Sequence, residues 1–264
     1  MKRLCTMTLL ALACAPAFGW GQEGHRIVAN IADTRLSSAA VAGIHALLGD
    51  APLASIANRP DQILDARPET APWHFTNIEI TDAAYDPARD CANDDCVVAR
   101  LEQFRDLLGD PNASLDARRE ALMFVVHFAG DLHQPLHCSD NHDRGGTRTF
   151  VTLLQTPDQQ LHKVWDTLVI RRALASTGLS EIAYGRSITR RLLMQGLAAQ
   201  VQGGTVADWA NESHDFGRDN AYVFAADTVY TAGEVATARQ VIERRLVTAG
   251  IRLARILNGA FGQH

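Results

Sequence analysis

Phe124-Val-Val-His127-Phe-Ala-Gly-Asp131-Leu-His-Gln-Pro135-Leu-His137 decides how this chain is read. The apolar residues around His127 mark a buried helix, which Pro135 must end. Residues four apart share one helical face, so His127 and Asp131 aim at the same point. A buried imidazole and a buried carboxylate both need partners. A second pair with the same spacing follows in His162-Lys-Val-Trp-Asp166. A His–Asp hydrogen bond would explain one such pair. Two copies point instead to a divalent cation, and imidazole nitrogen with carboxylate oxygen suits zinc.

Outward from this stretch the pattern stays helical. Apolar periodicity and capping residues predict helices over 23–33, 37–48, 97–108, 115–133, 161–175, 179–199, 205–229 and 234–257. Ser37 and Gly49 bracket the second of these with start and stop signals. In the last helix, Arg244, Arg245, Arg252 and Arg255 are expected in solvent. Strand-like sequence is scarce. Residues 73–80 alternate weakly, and 148–154 read as a β-branched strand turning at Thr156-Pro157-Asp158. The expected fold class is all-α, a single-domain helical fold over 20–264 with a small β-hairpin.

The chain has 264 residues, 47% of them apolar, as packed globular proteins do. Met1-Lys-Arg3, the apolar run 4–15 and Ala17-Phe-Gly19 read as a cleaved signal peptide over 1–19, making Trp20 the first mature residue. A lipoprotein-type cut before Cys14 is the weaker alternative, because Ala11 poorly suits that signal. The expected location is therefore periplasmic or secreted. Losing Lys2 and Arg3 leaves the mature chain two charges more negative than the −5 of the full sequence. Such a protein has no basic footprint for duplex DNA, so bound cations must meet any phosphate. Cys91 and Cys96, close together in a polar loop, are expected to form a disulfide. Cys138 is left over, as a buried thiol or a neighbour of His137.

The ligand-type side chains, in order, are His25, Asp61, His74, His127, Asp131, His137, His162 and Asp166. Eight are too many for one tetrahedral zinc and suffice for two or three ions that share ligands. His25 alone is more often a core or capping residue than a ligand. His133 stands one position off the ligand face and is expected to support it from behind. His45, His142, His214 and His264 are expected at the surface.

Several motifs together carry a family likeness. Trp20-Gly-Gln-Glu-Gly-His25, Trp73-His74-Phe75-Thr-Asn77, the stretch from His127 to His137, Asp143-Arg-Gly-Gly146, Leu161-His162-Lys-Val-Trp-Asp166 and Trp209-Ala-Asn-Glu212-Ser213 stand in family order. They resemble the zinc-dependent single-strand-specific nucleases, nuclease type I, which are also 3′-nucleotidases. The resemblance implies a mostly helical fold with three Zn2+ ions in a cleft. It assigns Asp61, His74, His127 and Asp131 to one ion. Trp20, through its freed amine and carbonyl, and His25 would hold a second, with Asp131 bridging the two. His137, His162 and Asp166 would hold the third. Asp61 and Asp131 are the expected catalytic carboxylates. The implied substrates are single-stranded DNA, RNA and 3′-nucleotides, with no stable protein partner and no membrane. The chain departs from the family where Leu64 stands in place of a common Lys or Arg; Arg67 or another cation is the candidate substitute. Two rival readings are a zinc phospholipase C, whose relatives carry His-x₃-Glu where this chain has His162-x₃-Asp166, and a periplasmic zinc-binding protein without catalysis.

Overall fold

A computed structural model describes residues 20–201, 203–223 and 228–262; the expected signal peptide and His264 lie outside the described residues. The helices in chain order are α1 (Gln22–Asp33), α2 (Ser38–Leu48), α3 (Arg59–Gln62), α4 (Pro87–Asp90), α5 (Val97–Gly109) and α6 (Leu115–Asp131). They continue as α7 (Leu161–Lys163), α8 (Val169–Thr177), α9 (Glu181–Met194), α10 (Leu197–Val201), α11 (Val206–Phe216) and α12 (Ala232–Phe261). The strands are β1 (Phe150–Leu153), β2 (Thr156–Gln160) and β3 (Val229–Tyr230). The fold is therefore mostly α, as the pattern predicts.

Local chemistry starts the long helices where the sequence suggests. Ser114 caps α6 by accepting from the Ala117 amide, with Asp116 in the first turn against the helix dipole. Thr231 and Glu234 form a reciprocal capping box at the start of α12. α6 lies at the centre and packs on α5 and α12, while α1 packs on α12 and α9. Phe104 of α5 stacks on Phe124 of α6 with ring centroids 4.5 Å apart, and Phe128 joins them at 5.1 Å from Phe124. Burial of such rings, about 1.5–3 kcal/mol each, places the functional end of α6 on a rigid base.

Four sequence expectations need correction. Residues 73–80 form no strand: Pro68–His74 is a 3₁₀ turn, and only Glu79 makes an isolated bridge, to Asp140. The hairpin turns at Leu154 and Gln155, because Leu153 already pairs with Thr156. The helix expected over 205–229 stops as α11 and a π turn, Gly217–Ala221; β3 then adds parallel to β1, pairing Thr152 with Val229. Arg245 and Arg252 are buried within α12, because buried acceptors on α6 and α11 draw them inward. His214 is buried too, its ring against the Asp82 carbonyl at 3.1 Å. His45 and His142 are exposed, with side chains 65% and 84% accessible.

Candidate metal centre

The centre is built on the last turn of α6. His127 and Asp131 meet as their spacing requires, with Nε2 3.2 Å from Oδ2. His74, from the end of the 3₁₀ turn, brings Nδ1 to 3.0 Å from both His127 Nε2 and Asp131 Oδ2. Asp61, from α3, places Oδ1 at 3.3 Å from His127 Nε2 and 3.7 Å from His74 Nδ1. Ligand atoms around a tetrahedral zinc with bonds of about 2.0–2.2 Å stand about 3.3–3.6 Å apart. These four atoms therefore lie close to the edges of such a tetrahedron.

Protons cannot satisfy that cluster. His127 Nδ1 donates to the Ala57 carbonyl at 2.7 Å, so a neutral ring turns a lone pair inward at Nε2. A proton on His74 Nδ1 can serve one of the facing acceptors and leaves the others opposed. Asp61 Oδ1, Asp131 Oδ1 and His74 Nε2 have no hydrogen-bond partner. Each such buried orphan costs about 1–3 kcal/mol. A divalent cation satisfies the inward-facing atoms together, so the residues fit one.

His25 adds a second group. Its ring is fully buried and stacks on His127 with centroids 3.9 Å apart. Nε2 approaches Asp131 Oδ1 at 3.3 Å without hydrogen-bond alignment, and neither ring nitrogen has a partner. The two oxygens of Asp131 thus face different imidazoles, Oδ2 toward His74 and His127 and Oδ1 toward His25. Trp20 is buried beside this pair. Gly130 makes the fit possible, since a Cβ there would stand 2.7 Å from His25 Nδ1.

His137 and His162 form a third grouping. Their Nδ1 atoms donate to the carbonyls of His74 and Gly145, each at 2.7 Å, which turns both Nε2 atoms toward one another at 3.3 Å. Asp166 lies within a π turn, Val164–Leu168, rather than in plain α-helix. π turns cluster at functional sites because the widened spacing redirects side chains. Asp166 Oδ2 accepts from Thr167 while Oδ1 has no partner. Among the described residues, ligand atoms mutually within 4.8 Å occur in two sets, His25–His127–Asp131 and Asp61–His74–His127. The His137–His162–Asp166 trio is not gathered that tightly.

The electrostatics mark one shared anionic pocket. Burial alone would push His127 down, but Asp131 and Asp61 hold it well above its ordinary value. Burial would raise Asp131, yet His127, with bonds from His25 and His74, holds it well below. Asp61 is likewise held low by His127 against the effect of its burial. Burial pushes Asp166 well up, and Asp61 and Asp131 push in the same direction, so three carboxylates feel one another. Such a pocket attracts cations.

Support comes from residues that spacing alone does not reveal. Asp143 accepts from the Gly146 amide at 2.8 Å, the Tyr222 hydroxyl at 2.7 Å and Thr149 at 2.5 Å. It thereby holds the Gly145-Gly146 turn, both residues at positive φ, whose carbonyl orients His162. The Asp143-Arg-Gly-Gly146 motif was the signal. His133 supports α6 from behind, donating Nδ1–H to the Ala129 carbonyl at 2.8 Å. Leu64 is buried, and Arg67 is committed elsewhere, to Glu120 at 2.5 Å and Glu69 at 3.0 Å. Cys138 is a buried thiol that burial pushes up to about 12. Cys91 and Cys96 form the expected disulfide.

The chain's relatives agree with this site. A profile of the S1/P1 Nuclease family matches residues 20–262. Endonuclease 2 of Arabidopsis thaliana is 30% identical, covering 97% of this chain and 96% of its own. Nuclease S1 of Aspergillus oryzae is 28% identical, covering 98% of each chain. Nuclease P1 of Penicillium citrinum is 27% identical, covering 92% of this chain and 98% of its own. Full-length similarity of this kind, over a buried His–Asp centre that fits divalent cations, makes this chain a member of the S1/P1 nuclease family.

Proposed function

We propose that this nuclease uses zinc to hydrolyse phosphodiester bonds in single-stranded DNA and RNA, yielding 5′-nucleotides, and also removes 3′-phosphates from nucleotides. The observation that carries the reading is the approach of His74, His127, Asp61 and Asp131 at tetrahedral-edge distances inside a buried pocket. Asp61, His74, His127 and Asp131 hold one ion in this reading. Asp131, His25 and the amine and carbonyl of a mature N-terminal Trp20 hold a second; His137, His162 and Asp166 hold a third. The family profile begins at Trp20, which supports removal of 1–19 as a signal peptide and a periplasmic or secreted location.

Zinc bound here supplies positive charge against phosphate oxygens and acidifies water toward neutral pH. The chain's own residues set the geometry. Asp131 keeps its two oxygens on separate imidazole sets, while Ala57, His74 and Gly145 carbonyls lock the tautomers of His127, His137 and His162. A flexible single strand, whose bases can unstack, suits a recessed centre better than a duplex.

The named relatives are nucleases and endonucleases, which favours this reading over a phospholipase or a non-catalytic zinc carrier. The test is elemental analysis of the mature protein with assays on single-stranded RNA, single-stranded DNA and phosphatidylcholine. We expect close to three zinc per chain, nucleic-acid cleavage lost on chelation and regained with zinc, and no lipid turnover. Asp131→Asn should lose metal and at least about 100-fold in rate, in line with loss of a ligand rather than of its supports. Full turnover in that variant contradicts the assignment.

A further inference from the structure

The end of α6 that carries Asp131, and the turn that follows to His137, rest on buried charge. A helix leaves its last four carbonyls without intrahelical donors, and buried ones must find them elsewhere. Arg245 Nε, from α12, donates to the His133 carbonyl at 3.1 Å. Ser213, from α11, donates its hydroxyl to the Leu132 carbonyl and accepts Arg245 Nη2 at 2.6 Å. The His133 ring accepts Arg252 Nη1 at 3.0 Å while donating to Ala129. Glu212 closes the circuit with one oxygen on each guanidinium, both at 2.6 Å. Arg245, His133 and Ser213 are fully buried.

Two guanidiniums against one carboxylate leave surplus positive charge at a helix C-terminus, where the macrodipole is negative. Buried ion networks are weak devices for stability, since apolar residues of equal volume often do as well. This one ends on the backbone of the ligand-bearing turn, so its consequence is geometric. We propose that Arg245 is a positioning residue of the metal centre: with Glu212 and Ser213 it fixes the backbone over 129–133 and so the direction of Asp131 and His137. The proposal rests on the zinc-dependent reading above.

The test compares the mature parent with Arg245→Lys, which keeps charge but loses the planar fork, and Ser213→Ala, which removes one hydroxyl. Three readouts matter: zinc retention against a chelator, the visible spectrum of the cobalt-substituted protein, and kcat and KM on single-stranded RNA. For Arg245→Lys we expect zinc held about 10–100-fold more weakly, as for other outer supports of metal ligands. The cobalt spectrum should shift, and kcat should fall at unchanged KM. Ser213→Ala should move the same way by less. Parent-like zinc affinity and cobalt spectrum in both variants would overturn the proposal, even with lowered melting temperatures. If Arg245→Lys fails to fold, Ser213→Ala and Glu212→Gln carry the test on the same readouts. A parent that binds zinc yet cleaves nothing defeats the functional reading alone, because zinc and cobalt still report on Arg245.

Discussion

Gly130 shows how far one missing methyl group reaches. In an ordinary helix interior, Gly→Ala stabilises by about 1 kcal/mol. Here the new Cβ would stand 2.7 Å from His25 Nδ1 and 3.0 Å from Cε1, so one ring must leave its place. Gly130→Ala should therefore destabilise, by about 1–3 kcal/mol as overpacked cores do. It should also release metal from the group that holds His25. Thermal melts and zinc analysis on the same sample check both, and a stabilised, fully loaded variant would show that the ring contact is not limiting. Asp131 makes the complementary point: two oxygens with different neighbours mean that one side chain can serve two cations.

Between elements, the centre depends on loops held by helices and by the hairpin. β2 leads directly into α7, so pairing of Phe150 with Gln160 sets where His162 emerges. Asp143 ties the Gly145-Gly146 turn to Tyr222 after the π turn that follows α11. Asp143→Asn turns an amide donor toward groups that themselves donate. It should cost about 1–3 kcal/mol, the usual penalty for buried hydrogen-bonding groups left unmatched. Zinc retention should drop about 10–100-fold as His162 loses its orienting carbonyl. Denaturant melts and chelator competition measure the two effects separately. α6 itself was legible from Phe124 to Asp131, because a 3.6-residue period and Pro135 leave little alternative. The π turn at Val164–Leu168 was not, since nothing in His162-Lys-Val-Trp-Asp166 announces a change of hydrogen-bond spacing.

On the scale of the molecule, two expectations follow from charge and from the N-terminus. Burial would raise Glu212, but Arg245 and then Arg252 overcome that and hold its carboxyl below the usual 4.5. A carboxyl held low adds stability that is complete above its unfolded value and lost as pH falls through its folded one. Glu212→Gln should be less stable than the parent near neutral pH, with the difference shrinking as pH drops below about 4.5. Melting curves across that range test the sign; a difference that grows in acid contradicts it. The second expectation concerns Trp20, which is buried beside His25. Residues left in front of it should cut activity by at least about tenfold, as loss of a metal ligand does. Full activity in a tagged protein would remove the amine from the ligand set. What the sequence alone determined is local: helix ends, the disulfide partners, and the pairing of His127 with Asp131, all set by residues within a few positions of one another. It also carried the list of donors, because imidazoles and carboxylates spaced and flanked as they are here leave few other uses. The tertiary structure decided what depends on distance: which oxygen of Asp131 faces which ring, that Arg245 and Arg252 turn inward, and that Arg67 is engaged elsewhere. Long polar side chains on a helix can reach solvent or a buried acceptor with equal ease, and only the packed neighbours choose between them.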